Sequence, residues 1–143
     1  NNYDNRFRLW RFSLNSRKKV SKRLKVLLGI RSPEQREYLR KLIERQKDMA
    51  VVGEVYDSVE ILLTVANTEA EVVLLDLLDQ NVDPGICSHL LMEFPHIAIF
   101  ALSKDRKHVI TYKSSISKQE IEAETDDHIL RAIRHICLSE TNT

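Results

Sequence analysis

The chain has 143 residues, 43% of them apolar and 30% charged, the make-up of one globular domain large enough to bury a core without staples. Its two cysteines, Cys87 and Cys137, have neither CxxC nor Cys/His spacing, which excludes zinc and disulfide scaffolds and predicts a reducing compartment. The net charge of +1 hides a division: residues 1–25 carry nine Lys/Arg against Asp4 alone, +8, while residues 26–143 carry thirteen against twenty Asp/Glu, −7.

The basic part comes first. Between residues 6 and 25 the cations interleave with Phe7, Leu9, Trp10, Phe12 and Leu14. An arm of this kind, spanning residues 1–23, would bind nucleic-acid phosphates, an anionic membrane surface or the acidic body of the chain; the plainer alternative is a solvated leader. No window approaches the eighteen or so consecutive apolar residues of a membrane span, so a cytoplasmic protein without a transmembrane segment is expected.

From Leu24 to Ile30 an apolar run too short for a helix predicts a strand covered on both faces. Ser32-Pro33-Glu34-Gln35 then combines an N-cap side chain, a proline at the first helical position and a Gln suited to a capping box. The helix it starts buries Tyr38, Leu39, Leu42 and Ile43. Met49–Val55 predicts a second strand, and Ser58 caps a helix carrying Val59, Ile61, Leu62, Leu63 and Val65. Val72–Leu77 is the most hydrophobic strand, interrupted by Asp76. Asp83-Pro84-Gly85 marks a turn before a helix with Ile86, Leu90, Leu91 and Phe94. Ile97–Leu102 is a fourth strand. Thr125-Asp126-Asp127 opens a last helix with Ile129, Leu130, Ile133 and Ile136 or Cys137 on one face.

Strands alternating with helices over short linkers predict a parallel sheet between two helical layers. Residues 103–122 resist this scheme. His108–Tyr112 is β-branched and aromatic, which favours a short hairpin or irregular strand over a helix. Lys118–Glu122 is expected to supply the last central strand.

In such a sheet, ligands bind beyond the carboxyl ends of the strands, and Asp76 falls at one. The succession of Leu24–Leu28, the capped helix at Pro33, Val51–Val55, Val72–Leu77 and Asp127–Arg134 resembles the receiver domain of two-component response regulators, more narrowly the NarL/FixJ-like branch, over about residues 24–137. The resemblance implies a flavodoxin-like three-layer (βα)5 fold with sheet order 2-1-3-4-5, an atypical fourth helix region at 103–117, and a domain over 24–138 with a tail at 139–143. It also implies phosphoryl transfer from a histidine kinase to Asp76.

That chemistry needs a divalent cation held by an acidic pair after the first strand, plus the acceptor. The acidic positions here read Ile30 and Arg31. The hydroxyl position at the end of strand four reads Ala101, with Ser103 two residues on, and the lysine position at the end of strand five reads Glu122, with Lys113 and Lys118 as displaced candidates. The sequence thus resembles a degenerate pseudo-receiver without a metal site, cofactor or catalytic activity, in which the Arg31 guanidinium pairs with Asp76 in place of the metal. The alternative leaves Arg31 in solvent and Asp76 hydrated.

The five histidines, His89, His96, His108, His128 and His135, lack converging metal-ligand spacing. The expected function is signalling by contact with a protein partner, whether kinase, regulator or output protein, or with a second copy, through the 103–122 face; exposed Val109, Ile110 or Tyr112 would support this. Two rivals are a working phospho-acceptor with relocated ligands such as Asp79, and a nucleic-acid-binding adaptor using residues 6–25.

Overall fold

A computed structural model describes residues 23–77, 84–113 and 118–141. The basic arm up to residue 22, Asp79 and residues 114–117 lie outside these segments. The described residues form six strands, β1 (Leu24–Gly29), β2 (Met49–Glu54), β3 (Val72–Asp76), β4 (Ala98–Leu102), β5 (His108–Tyr112) and β6 (Lys118–Glu122), and four helices, α1 (Pro33–Glu44), α2 (Ser58–Thr68), α3 (Pro84–Glu93) and α4 (Asp126–Thr141).

A period of two places the core on both sides of the sheet. Val26 and Leu28 of β1, Val72 and Leu74 of β3, and Ala98, Phe100 and Leu102 of β4 face α1 and α4. Their neighbours Leu27, Val73, Leu75, Ile99 and Ala101 face α2 and α3. A strand covered twice needs both parities apolar, which is why Val26–Leu28, Val72–Leu75 and Ala98–Leu102 read as continuous hydrophobic runs. Cys87 packs in the α2/α3 core and Cys137 against the α1/α4 core, so the sheet separates the two cysteines.

The sheet order is β2-β1-β3-β4-β5-β6. The first four strands are parallel, whereas β5 is antiparallel to β4 and β6 to β5. The strand expected from His108–Tyr112 is present, and it takes the place beside β4 where Lys118–Glu122 was expected. Lys118–Glu122 therefore forms an edge strand rather than a central one. The physical reason lies in the link after β4: a tight turn holds β5 antiparallel, whereas a parallel neighbour needs a crossover of a dozen or more residues.

Local chemistry sets the helix starts. Ser32 accepts from the Gln35 amide at 3.3 Å and Pro33 opens α1. For α2 the N-cap is Asp57, whose Oδ2 accepts from the Val59 and Glu60 amides, and the expected cap Ser58 is the first helical residue. Gly53 lies beside the register shift between β1 and β2, where a Cβ would meet Leu27 Cδ1 at 2.7 Å and Thr64 Cγ2 at 2.9 Å. The last helix continues to Thr141, into the stretch assigned to a tail.

Arg134 clamps α4 to the α1–β2 loop. Its Nε donates to Asp48 Oδ2 at 2.8 Å, and its Nη2 donates to Asp48 Oδ1 at 3.0 Å and Gln46 Oε1 at 3.1 Å. The Arg134 hydrogen bonds hold the Asp48 carboxyl below its ordinary value. Both side chains keep solvent contact, so screening limits the pair, and Arg134→Ala should cost about 0.5–1 kcal/mol at neutral pH. A depressed folded-state value means this contribution is full above the unfolded carboxylate value and is lost as pH falls through the folded one. Urea titrations should show the variant and the parent converging below about pH 4.

Candidate functional site

The switch point of the sheet lies between β1 and β3, because the chain leaves β1 towards β2 on one side and reaches β3 on the other. A cleft of about 630 Å³ opens there, lined by residues that include Arg31 and Ser32 after β1, Gln35 and Tyr38 of α1, Asp76 at the end of β3, and Lys104 and Arg106 after β4. Asp76 continues the parity of Val72 and Leu74, so its half-buried side chain points to the α1 side.

The Arg31 backbone N–H donates to Asp76 Oδ2 at 2.7 Å. The guanidinium is elsewhere, with its central carbon 6.0 Å from the centre of the Tyr56 ring. The expected side-chain lock is therefore corrected: Arg31 meets Asp76 through its main chain, and no ion pair joins these two described residues. Ile30 is fully buried in the α1/α4 core. Ile30 continues the parity of Val26 and Leu28, and Arg31, beyond the end of the strand, is exposed.

Ala101 is fully buried on the opposite face, towards α2 and α3. The β4 residue in register with Asp76 is Leu102, which lines the cleft. Ser103 does not substitute for a hydroxyl at that level. Its Oγ donates to Asp105 Oδ1 at 2.7 Å and accepts from the His108 amide at 3.0 Å. The Lys107 amide, followed by the Ser103 hydroxyl, holds the Asp105 carboxyl below its ordinary value.

Glu122 is displaced further. It ends edge strand β6, three strand spacings or about 14 Å from β3, and its side chain is 83% exposed beside His108. Lys113 follows β5 and Lys118 begins β6, and these antiparallel strand ends meet at the far end of the sheet from Asp76. The expectation that Glu122 or either lysine enters the Asp76 pocket is thus corrected by the reversal of β5. The cleft's cations come instead from Lys104 and Arg106 in the β4–β5 turn, which no spacing in the sequence marks.

Arg106 adopts a left-handed φ of 61°, and its amide donates to the Ser103 carbonyl at 2.9 Å to close the turn. Its guanidinium lies 3.7 Å over the centre of the Tyr38 ring and donates through Nη1 to Gln35 Oε1 at 3.0 Å. Gln35 in turn donates Nε2 to the Ser103 carbonyl at 3.2 Å, which satisfies an amide that is only 8% exposed. The Tyr38 hydroxyl donates to Asp126 Oδ2, and Arg106 Nε lies 3.6 Å from Asp126 Oδ1. Turn, α1 and the start of α4 are thereby joined around one wall of the cleft.

Val109 is 1% exposed beneath the α1/α4 layer, and Ile110 is 7% exposed. Tyr112 is half-buried against the other core, where burial raises its phenol above the ordinary value. The expected partner surface at these residues is corrected accordingly: β5 is an interior strand paired along both edges, and its apolar side chains pack into the layers on the two faces of the sheet.

Among the described residues no three His, Cys, Asp or Glu side chains converge to hold a metal ion, and no helix is long and apolar enough to cross a membrane. Comparisons with protein-family models, curated proteins and solved structures give no match.

Proposed function

We propose that this chain is a receiver-like module of the flavodoxin-like class that signals by binding a protein partner and has left magnesium-dependent phosphorylation behind. The observation that carries the proposal is the environment of Asp76. Its Oδ2 takes the Arg31 amide at 2.7 Å, while Ile30 is sealed in the core. A magnesium ion of the kind receivers use needs oxygen ligands close to octahedral geometry. At the two positions after β1, this chain offers a hydrocarbon side chain and a cation, so the residues present do not fit that ion.

A mostly parallel sheet with a carboxylate at its switch point supports the receiver-like part of the proposal. The accessible groups of the antiparallel extension are polar: His108, Glu120 and Glu122 are exposed. They offer a partner a charged edge rather than an apolar anchor.

Incubating the full chain with acetyl phosphate and Mg²⁺ and measuring its intact mass tests the proposal. An unchanged mass is the expected result. A phosphoryl adduct that disappears in Asp76→Asn would restore the working phospho-acceptor.

A further inference from the structure

A second hollow of about 740 Å³ lies on the other side of Arg31, lined by Arg31, Pro33, Arg36, Tyr56, Asp57 and Ser58. The ring of Tyr56, 54% exposed, is approached by two guanidinium groups, with central carbons 6.0 Å (Arg31) and 5.7 Å (Arg36) from its centre. Arg36 is held by donating Nε to the Ile30 carbonyl at 3.1 Å and Nη2 to the Arg31 carbonyl at 3.0 Å. Its Nη1 has no acceptor among the described residues. The lining carboxylate, Asp57, uses Oδ2 to cap α2.

Two like charges share one aromatic ring here, and neither arginine is ion-paired with a carboxylate among the described residues. A ring quadrupole offsets only part of their mutual repulsion. The first turns of α1 and α2 meet the same rim, where Glu34 and Glu60 offset part of their positive end potential and leave the two guanidinium groups as the main attraction for an anion. An oxyanion with several acceptor oxygens answers all of these features, because guanidinium forks match phosphate geometry and strengthen on pairing with it.

We infer that this hollow is a binding site for a phosphate monoester, with the dianion between Arg31 and Arg36 and the ester's organic group against Tyr56. The site is distinct from Asp76 and involves no phosphoryl transfer, so it stands whether or not the signalling proposal does. It also gives Arg31 a use that its main-chain contact with Asp76 leaves open.

The test is a titration of the full chain with phenyl phosphate and, separately, inorganic phosphate at constant ionic strength, followed by backbone amide shifts. Saturable shifts at residues 31–36 and 56–60 are expected, with phenyl phosphate the tighter ligand. Arg31→Gln keeps the amide that reaches Asp76 and should keep the parent melting temperature while weakening both ligands about tenfold, the loss of one charge-assisted pair. Tyr56→Leu should remove the preference for phenyl phosphate. Absence of saturation, or unchanged affinity in both Arg31→Gln and Arg36→Gln, would overturn the site. Equal affinity for the two ligands in the parent would overturn its assignment to an ester.

Discussion

Replacing Phe100 with alanine should lower the free energy of unfolding by about 3–5 kcal/mol, the loss that accompanies removal of a fully buried aromatic side chain. Phe100 has no exposed surface and sits in β4 between Leu74 of β3 and Thr111 of β5. It is the point where the parallel and antiparallel halves of the sheet share one core. The deletion removes apolar contact area and leaves a cavity that α1 and α4 can only partly close. Urea denaturation followed by circular dichroism measures the loss through a lower midpoint at similar slope. Met92→Ala, at a position 78% exposed on α3, is the matched control and should change stability by less than about 0.5 kcal/mol. A Phe100→Ala midpoint close to the parent's would contradict the packing described for β4.

The second large effect concerns Val109. Had His108–Tyr112 formed an exposed docking strip, Val109→Asp would disturb binding and spare the fold. In the structure Val109 is 1% exposed, opposite Leu102 on one side and Ile121 on the other. A carboxylate there has no partner in an apolar layer, so the substitution should cost about 3–5 kcal/mol or leave the chain unfolded. Val109→Thr, close to the same shape, should cost less and remain folded. Thermal melting of the two variants distinguishes the cases: a cooperative, near-parent melt for Val109→Asp would return β5 to the surface.

Much of this architecture was legible from residues because it depends on local rules. The apolar runs Val26–Leu28, Val72–Leu75 and Ala98–Leu102 signalled strands covered on both faces, and Ser32 with Pro33 specified the start of α1. The position of Asp57 and Ser58 shows the limit of such rules, since either residue is a good cap and only geometry chooses between them. The β-branched stretch at 108–112 announced a strand but not its neighbours, because pairing is settled by residues distant in sequence. That one undetermined pairing displaced every expectation about Glu122, Lys113 and Lys118. Arg31 failed for a different reason. The group that reaches Asp76 is a backbone N–H, which any residue except proline possesses, so side-chain identity carried no information about the contact. Glu69 and Arg106 hold left-handed backbone angles without the glycine or asparagine that would advertise them.

The reversal at Ser103–His108 also fixes the phase of β5. Where a crossover helix follows a strand, its loop can lengthen or shorten by single residues while the next strand keeps its phase. A hairpin lacks that freedom: side chains alternate along β5, so which of them join the α1/α4 core and which the opposite one is tied to the number of residues from Lys104 to Lys107. The stretch that supplies Lys104 and Arg106 to the cleft is also the ruler that sets which β5 side chains enter which core layer. Exchanges of residue type at this rim leave that phase intact, whereas a one-residue change of length shifts it unless a bulge takes up the difference.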